Sequence, residues 1–290
     1  MDRPAGADDH HPGRPPARAG HRLAGLVAGL AVLPATADAA PRVLSLDQCA
    51  DQYVLALSPR AAIVGLSTRA DDADSRLRAA ARGLPMRRVD LETALSTRPQ
   101  VVIRYWGGEP RLISALEARG VRVVTIGEAA EFADVRANIR KVAAALQQPD
   151  GGEGLVARMD ARLARSAGAW GGASALYLTP GGVTAGRSTL VDAVLRAAGM
   201  RNVETRPGYQ TISLEQMALA PPRTAVLGFF DTFMLSGDSW GIGRHRILQR
   251  VARERAVASL PGSMLGCPDW SAAEAAELLA ARAPGRVAHP

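Results

Sequence analysis

Short apolar runs alternate along this chain with stretches whose apolar residues recur at helical spacing, the pattern of α/β layers with mostly parallel strands. In the first half, Arg42–Leu46, Ala62–Leu66, Val101–Tyr105 and Val121–Ile126 read as strands. Helices are predicted over Gln48–Leu57, over Pro110–Arg119 with a stop at Gly120, and from Phe132 to Leu146. Pro149-Asp150-Gly151-Gly152 breaks the pattern. Glu153–Ala169 then reads as one helix, with Leu155, Met159, Leu163 and Ala167 at helical spacing, until Gly171-Gly172 ends it. The theme returns with strands at Ala175–Leu178 and Ala225–Phe229. Helices follow over Thr189–Ala198, Ser213–Ala220, His245–Arg255 and Ser271–Arg282, and the tail after Pro284 reads as frayed.

One segment occurs twice. Val89–Pro99 runs into the strand Val101–Ile103, and Ile212–Pro222 runs into Ala225–Leu227. Each copy reads as a cap residue, a short helix, a proline stop and a buried strand. Asp90 and Ser213 are placed to accept hydrogen bonds from the first helical turn, and Ser213 with Gln216 has capping-box spacing. Leu91 and Leu95, like Leu214 and Met217, are predicted to face inward, leaving Glu92 and Glu215 in water. Two equivalent lobes, each presenting one exposed glutamate, form a clamp suited to a two-fold symmetric partner.

Residues 1–39 read as a cleavable leader. Arg14, Arg18 and Arg22 precede an apolar run from Leu23 to Leu33, and Ala37-Asp38-Ala39 supplies small residues for cleavage. The run is too short to span a bilayer as an ordinary helix, and a buried first helix is the alternative. The expected organisation is therefore a signal peptide at 1–39, an α/β lobe at 40–148, a connector helix at 149–172 and a second α/β lobe at 173–290, exported to the periplasm.

Charge narrows the partners. The net charge is +7, but the arginines form no run interleaved with aromatics, which argues against nucleic acid. In an exported chain the isolated pair Cys49 and Cys267 reads as a disulfide, with two unrelated buried thiols as the alternative. Outside the leader the histidines are His245 and His289, and no His/Cys/Asp/Glu cluster has metal-ligand spacing. A Ser/His/Asp triad has almost nothing to draw on, so neither a catalytic centre nor a resident cofactor or metal is expected.

Ligands of open parallel sheets sit beyond the carboxyl ends of the strands. Those positions hold Asp47 and Gln48, Ser67 to Arg69, Tyr105 to Gly108, Arg187 and Phe230. Met86 and Arg87 precede the first repeat and Tyr209 the second. Aromatics are scarce, yet Tyr105, Trp106, Tyr209, Phe230, Trp240 and Trp270 all fall at strand ends or in loops. With Arg69 and Arg187 they suit a bulky, flat, partly anionic ligand. For each single aromatic, packing between lobes is the competing role.

In order and spacing these segments resemble the periplasmic binding proteins of iron–siderophore, haem and cobalamin ABC importers. The resemblance rests on Arg42-Val43-Leu44-Ser45-Leu46, Ile63-Val64-Gly65-Leu66-Ser67, Asp90-Leu91-Glu92, Pro99-Gln100-Val101-Val102-Ile103 and the connector helix. It continues through Thr184-Ala185-Gly186-Arg187-Ser188, Ala197-Ala198-Gly199-Met200-Arg201-Asn202-Val203 and Ile212-Ser213-Leu214-Glu215. It covers the chain from Pro41 to about Ala281. It implies two Rossmann-like lobes joined by a single long helix, with the ligand cleft between them. It also implies that Glu92 and Glu215 dock onto arginines of a permease dimer carrying an ATPase, at the inner membrane surface. Tyr105 and Tyr209 match aromatic positions of the family's cobalamin binder. Arg69 and Met86 stand where that protein has further aromatics, which favours a more anionic ligand.

The sequence thus predicts a monomeric substrate-binding protein that captures an iron chelate (siderophore or haem), with cobalamin as the alternative ligand. Its ligand set is Arg69, Met86, Tyr105, Trp106, Arg187, Tyr209, Phe230, Trp240 and Trp270. An exported α/β enzyme acting on a small polar substrate is the alternative from another class.

Overall fold

A computed structural model describes residues 40–88, 90–231 and 245–285. The expected leader (1–39), Trp240 and the end of the chain from residue 286, within the tail expected to fray, lie outside the described residues.

The first half builds β1 (Val43–Ser45), α1 (Gln48–Leu57), β2 (Ile63–Gly65), α2 (Arg78–Ala81), α3 (Leu91–Ser96), β3 (Val101–Arg104), α4 (Pro110–Glu117), β4 (Arg122–Thr125) and α5 (Phe132–Ala145). Its strands form a parallel sheet in the order β2-β1-β3-β4, with Val43 opposite Val101 and Val101 opposite Arg122. The wholly buried β1, Val43-Leu44-Ser45, is central, as a parallel strand covered on both faces requires.

The helix α6 (Pro149–Ser166) links the halves. It starts four residues before the predicted Glu153, because Pro149 occupies the first helical turn, where a missing N–H costs nothing. It ends at Ser166, so Ala167 caps it rather than packing. Gly152 lets α6 press on α5: a Cβ there would stand 2.5 Å from the Ala143 Cβ. Two ion pairs fasten the same helices, Arg136 with Asp160 at 2.6 Å and Arg140 with Glu153 at 2.6 Å.

The second half adds β5 (Ser174–Leu178), β6 (Val183–Ala185), α7 (Leu190–Ala197), β7 (Arg201–Asn202), β8 (Tyr209–Thr211), α8 (Leu214–Leu219), β9 (Ala225–Gly228), α9 (Arg246–Glu254), β10 (Ala256–Leu260), α10 (Gly262–Leu265) and α11 (Ser271–Ala281). A second parallel sheet runs β10-β9-β5-β7, and β6 with β8 forms a separate antiparallel pair.

The two large sheets are distinct, yet one apolar cluster runs beneath both. Tyr53 and Ile103 of the first half, Met159 of α6, and Tyr177, Val226 and Leu260 of the second all belong to it. Further ties cross the same base. Cys49 and Cys267 are disulfide-bonded, with Cα atoms 5.3 Å apart. The Tyr53 hydroxyl donates to the Pro268 carbonyl at 2.6 Å. Arg76 pairs with Glu274, and on the far side of α6 Arg165 meets Glu277 of α11 at 2.8 Å. Two lobes joined by a packed strut and a covalent link are built to resist wide hinge motion. Among the described residues no helix is long and apolar enough to cross a membrane.

Candidate functional site

The repeated segments fold as their sequence reads, with one exception. The Asp90 carboxylate accepts from the Thr93 amide at 2.8 Å and the Ser213 hydroxyl from the Gln216 amide at 3.2 Å, so both short helices carry their expected caps. Glu92 and Glu215 are exposed on the first turns of α3 and α8. The expectation that Leu91 faces inward needs correction: Leu91 is 42 % exposed, while Ala94 is buried and Leu95, half-buried, packs inward against the cluster around Leu44 and Val102. In α8 Met217 is buried as predicted, while Leu219 is 79 % exposed.

At the carboxyl ends of β1, β2 and β3 lies a cavity of about 220 Å³, lined by Asp47, Ser67, Thr68, Arg69, Arg87, Arg88 and Trp106 among others. Parallel strands end side by side there, so successive loops must share one mouth. Trp106 stands 56 % exposed at its rim. Arg69 reaches the cavity but is already bound, its Nε donating to Asp72 at 2.9 Å. Arg87 and Arg88 differ: neither guanidinium takes part in a hydrogen bond or ion pair among the described residues. Neither is in the predicted ligand set, although Arg87 stands beside Met86 before the first repeat; the chain returns there to pair Leu66 with Met86, which brings both arginines to the end of β2.

Across the seam, β8 presents Tyr209, exposed and paired with Ala185. Its phenol is held above its ordinary value by desolvation first and by the Glu128 carboxylate of the opposite lobe second. The Tyr105 hydroxyl donates to Glu128 at 2.6 Å, and burial followed by that carboxylate holds this phenol well up too. Tyr105, Glu128 and Tyr209 therefore gather at one seam from both lobes. Met86 is 37 % exposed beside Leu66, and Arg187 is exposed beside Pro207.

Two predicted ligand aromatics make packing contacts, the competing role the sequence allowed them. Trp270 meets Tyr53 edge-on, with ring centroids 5.3 Å apart and planes at 81°, and packs against the core that runs under both lobes. Phe230 packs against the second lobe's satellite cluster around Leu176, Met217 and Leu248. Both remain partly exposed at the edges of those clusters. His245 caps α9, its Nδ1 accepting from the Ile247 amide at 3.3 Å. Among the described residues no group of His, Cys, Asp and Glu could hold a metal ion.

A larger cavity of about 650 Å³ lies wholly within the second lobe, between α8, Ile212 and the Val203–Arg206 loop. Its only ionic residues, Glu204 and Arg206, neutralise each other at 2.7 Å, and it holds none of the predicted ligand residues.

Known proteins share this architecture. No curated protein sequence matches the chain. Among solved structures it is similar to the periplasmic heme-binding protein BhuT in complex with two hemes. The identity is 27 % and the TM-score 0.64, covering 83 % of this chain and 97 % of that one. A periplasmic heme-binding protein from Pseudomonas aeruginosa is 25 % identical, with a TM-score of 0.64 over 86 % of this chain and 94 % of that one. The vitamin B12 binding protein BtuF of Vibrio cholerae, 18 % identical with a TM-score of 0.61 over 84 % and 96 % of the respective chains, shares the fold. The profile of the periplasmic binding protein family matches residues 43–261, and the chain belongs to that family.

Proposed function

We propose that this protein is the substrate-binding component of an ABC importer, and that it captures an anionic iron chelate, a haem or a ferric siderophore, between its two lobes. The observation that carries the reading is the pairing of exposed aromatics with unengaged cations at the seam. Trp106 and Tyr209 offer flat faces, and Arg87 and Arg88 offer guanidiniums that make no hydrogen bond or ion pair among the described residues, Arg88 feeling only the charge of Asp90. Aromatic faces bind a planar or amphipathic body, and guanidinium forks bind its carboxylates. Arg69, Met86, Tyr105 and Arg187 complete the ligand set. The similar heme-binding proteins at 27 % and 25 % identity support the same class of ligand.

In this reading residues 1–39 direct export to the periplasm. Lobes at 40–148 and 173–290 close on the ligand around the connector at 149–172, and the monomer acts by binding rather than by catalysis. Glu92 and Glu215 then orient the loaded protein on the permease dimer. Exposed ion pairs add little affinity singly, but they set register and encounter rate.

Cobalamin is the second reading, favoured by the aromatic pair Tyr105 and Tyr209, and charge separates the two. Titration with haemin, a ferric hydroxamate and cyanocobalamin, followed by tryptophan fluorescence and haem absorbance, decides between them. The anionic chelate is expected to bind saturably at one site, and Arg87→Ala with Arg88→Ala to weaken it. Equal binding by the arginine variants would favour the corrinoid; no affinity for any of the three would defeat the proposal.

A further inference from the structure

Two carboxylates are buried at the start of α1, Asp47 at 1 % and Asp51 at 0 % exposure, and neither has a cation in hydrogen-bond contact. Each reaches out of its own helix into one loop of the seam. Asp47 caps α1 through one oxygen, which accepts from the Ala50 amide at 3.0 Å. Its other oxygen accepts from the Tyr105 amide at 2.7 Å and the Gly107 amide at 2.9 Å, the two peptide groups that bracket Trp106. Asp51 accepts from the Ser67 amide at 3.0 Å and the Ser67 hydroxyl at 2.6 Å. The Ser67 hydroxyl accepts in turn from the Arg69 amide at 3.1 Å. The backbone of both turns is therefore drawn onto a single helix end. Gly107 completes the fit, since a Cβ there would lie 2.4 Å from the Leu46 carbonyl oxygen.

We propose that Asp47 and Asp51 are the positioning residues of the ligand site, Asp47 setting the turn that carries Trp106 and Asp51 the turn that carries Arg69. This rests on the seam being the ligand site. A buried carboxylate without a counter-ion is a costly choice. The N–H donors of the two loops, with the helix N-terminus, make it tolerable. Loop geometry and carboxylate ionisation are consequently linked. Asp51 faces the Ser45 and Ser67 hydroxyls and the Asp47 carboxylate, and burial pushes it up to about 6.

The test begins with the unliganded full chain. Amide hydrogen exchange is read residue by residue in wild type, Asp47→Asn and Asp51→Asn. Loss of a charge-assisted bond is expected to raise exchange about tenfold or more at Tyr105 and Gly107 in the first variant and at Ser67 and Arg69 in the second. Protection at Ser67 in wild type should change with a midpoint near the Asp51 value, and Asp51→Asn should abolish that dependence. Ser67→Ala keeps every buried charge, and so remains informative if an aspartate variant fails to fold; it should loosen Arg69 and spare Tyr105. Haemin affinity is then measured by absorbance, and both aspartate variants should bind about tenfold more weakly. Unchanged exchange in the variants would overturn the proposal, as would loosened loops with unchanged haemin affinity. If wild type binds no haemin, the haem reading alone fails, the affinity arm is repeated with whichever of the ferric hydroxamate and cyanocobalamin binds, and the positioning claim is overturned by an unchanged exchange pattern.

Discussion

Replacing both cysteines with alanine probes how the two lobes are held together. The Cys49–Cys267 bond closes a loop across 218 residues, nearly the whole described chain. Chain-entropy arithmetic for a loop of that length puts the stabilisation at about 5 kcal/mol. Denatured chains keep residual structure, which lowers the realised value. The Tyr53–Pro268 hydrogen bond and the Tyr53–Trp270 contact persist in the variant and hold its folded state together. A loss of about 3–5 kcal/mol is therefore expected, a large fraction of the 5–15 kcal/mol typical of a folded protein. Urea unfolding followed by tryptophan fluorescence measures it, with wild type in reductant as a second route to the same state. The reasoning is refuted if the double variant loses less than about 1 kcal/mol with an unchanged denaturant slope. A link that long should also lower the slope of the oxidised protein, by keeping its denatured chain compact.

Other consequences are equally direct. Glu92→Arg with Glu215→Arg should abolish uptake through the importer while ligand affinity stays unchanged; a loss of affinity would put those glutamates in the pocket instead. Burial pushes both Asp51 and Asp269 up to about 6 from an ordinary carboxylate value. A raised acid pKa stabilises the fold below the ordinary value, and that contribution disappears as pH rises through about 6. Stability should therefore fall by about 1 kcal/mol per group between pH 5 and pH 7. Asp51→Asn with Asp269→Asn should flatten the profile, and a wild-type melting temperature lower at pH 5 than at pH 7 would contradict it. Gly107→Ala drives a methyl group toward the Leu46 carbonyl. It should cost about 1–3 kcal/mol in thermal unfolding and weaken ligand binding, because the Trp106 turn must shift.

Local pattern carried most of the element order. The strands of the first sheet and the helix at Gln48–Leu57 lie where their apolar runs and caps predict, because each is decided by residues within a turn or two. Six short or irregular elements do not show in the pattern: α2, β6, β7, β8, β10 and α10. β6 and β8 are too short for alternation to register, and their antiparallel pairing joins residues far apart in the chain. β10, Ala256–Leu260, directly follows an arginine-rich helix and mixes small residues with only two large apolar ones, so it does not read as a buried strand. Even so, it pairs with β9 at the edge of the second sheet.

By itself the sequence determined the alternation of strand and helix, the two capped repeats with their exposed glutamates, and a strut dividing the chain. All of these depend on spacing and side-chain chemistry along a few consecutive residues. Tertiary structure alone decided that Trp270 packs edge-on against Tyr53, that Phe230 packs against the cluster around Leu176, and that Arg88 joins Arg87 at the cavity; it also closed the Cys49–Cys267 bond that the isolated cysteine pair predicts. It also decided that Asp47 reaches 58 residues along the chain to the Tyr105 amide. Such contacts join residues far apart in the chain that meet only when the strands align and the helices pack over a common core, and nothing in the neighbourhood of either partner encodes the other.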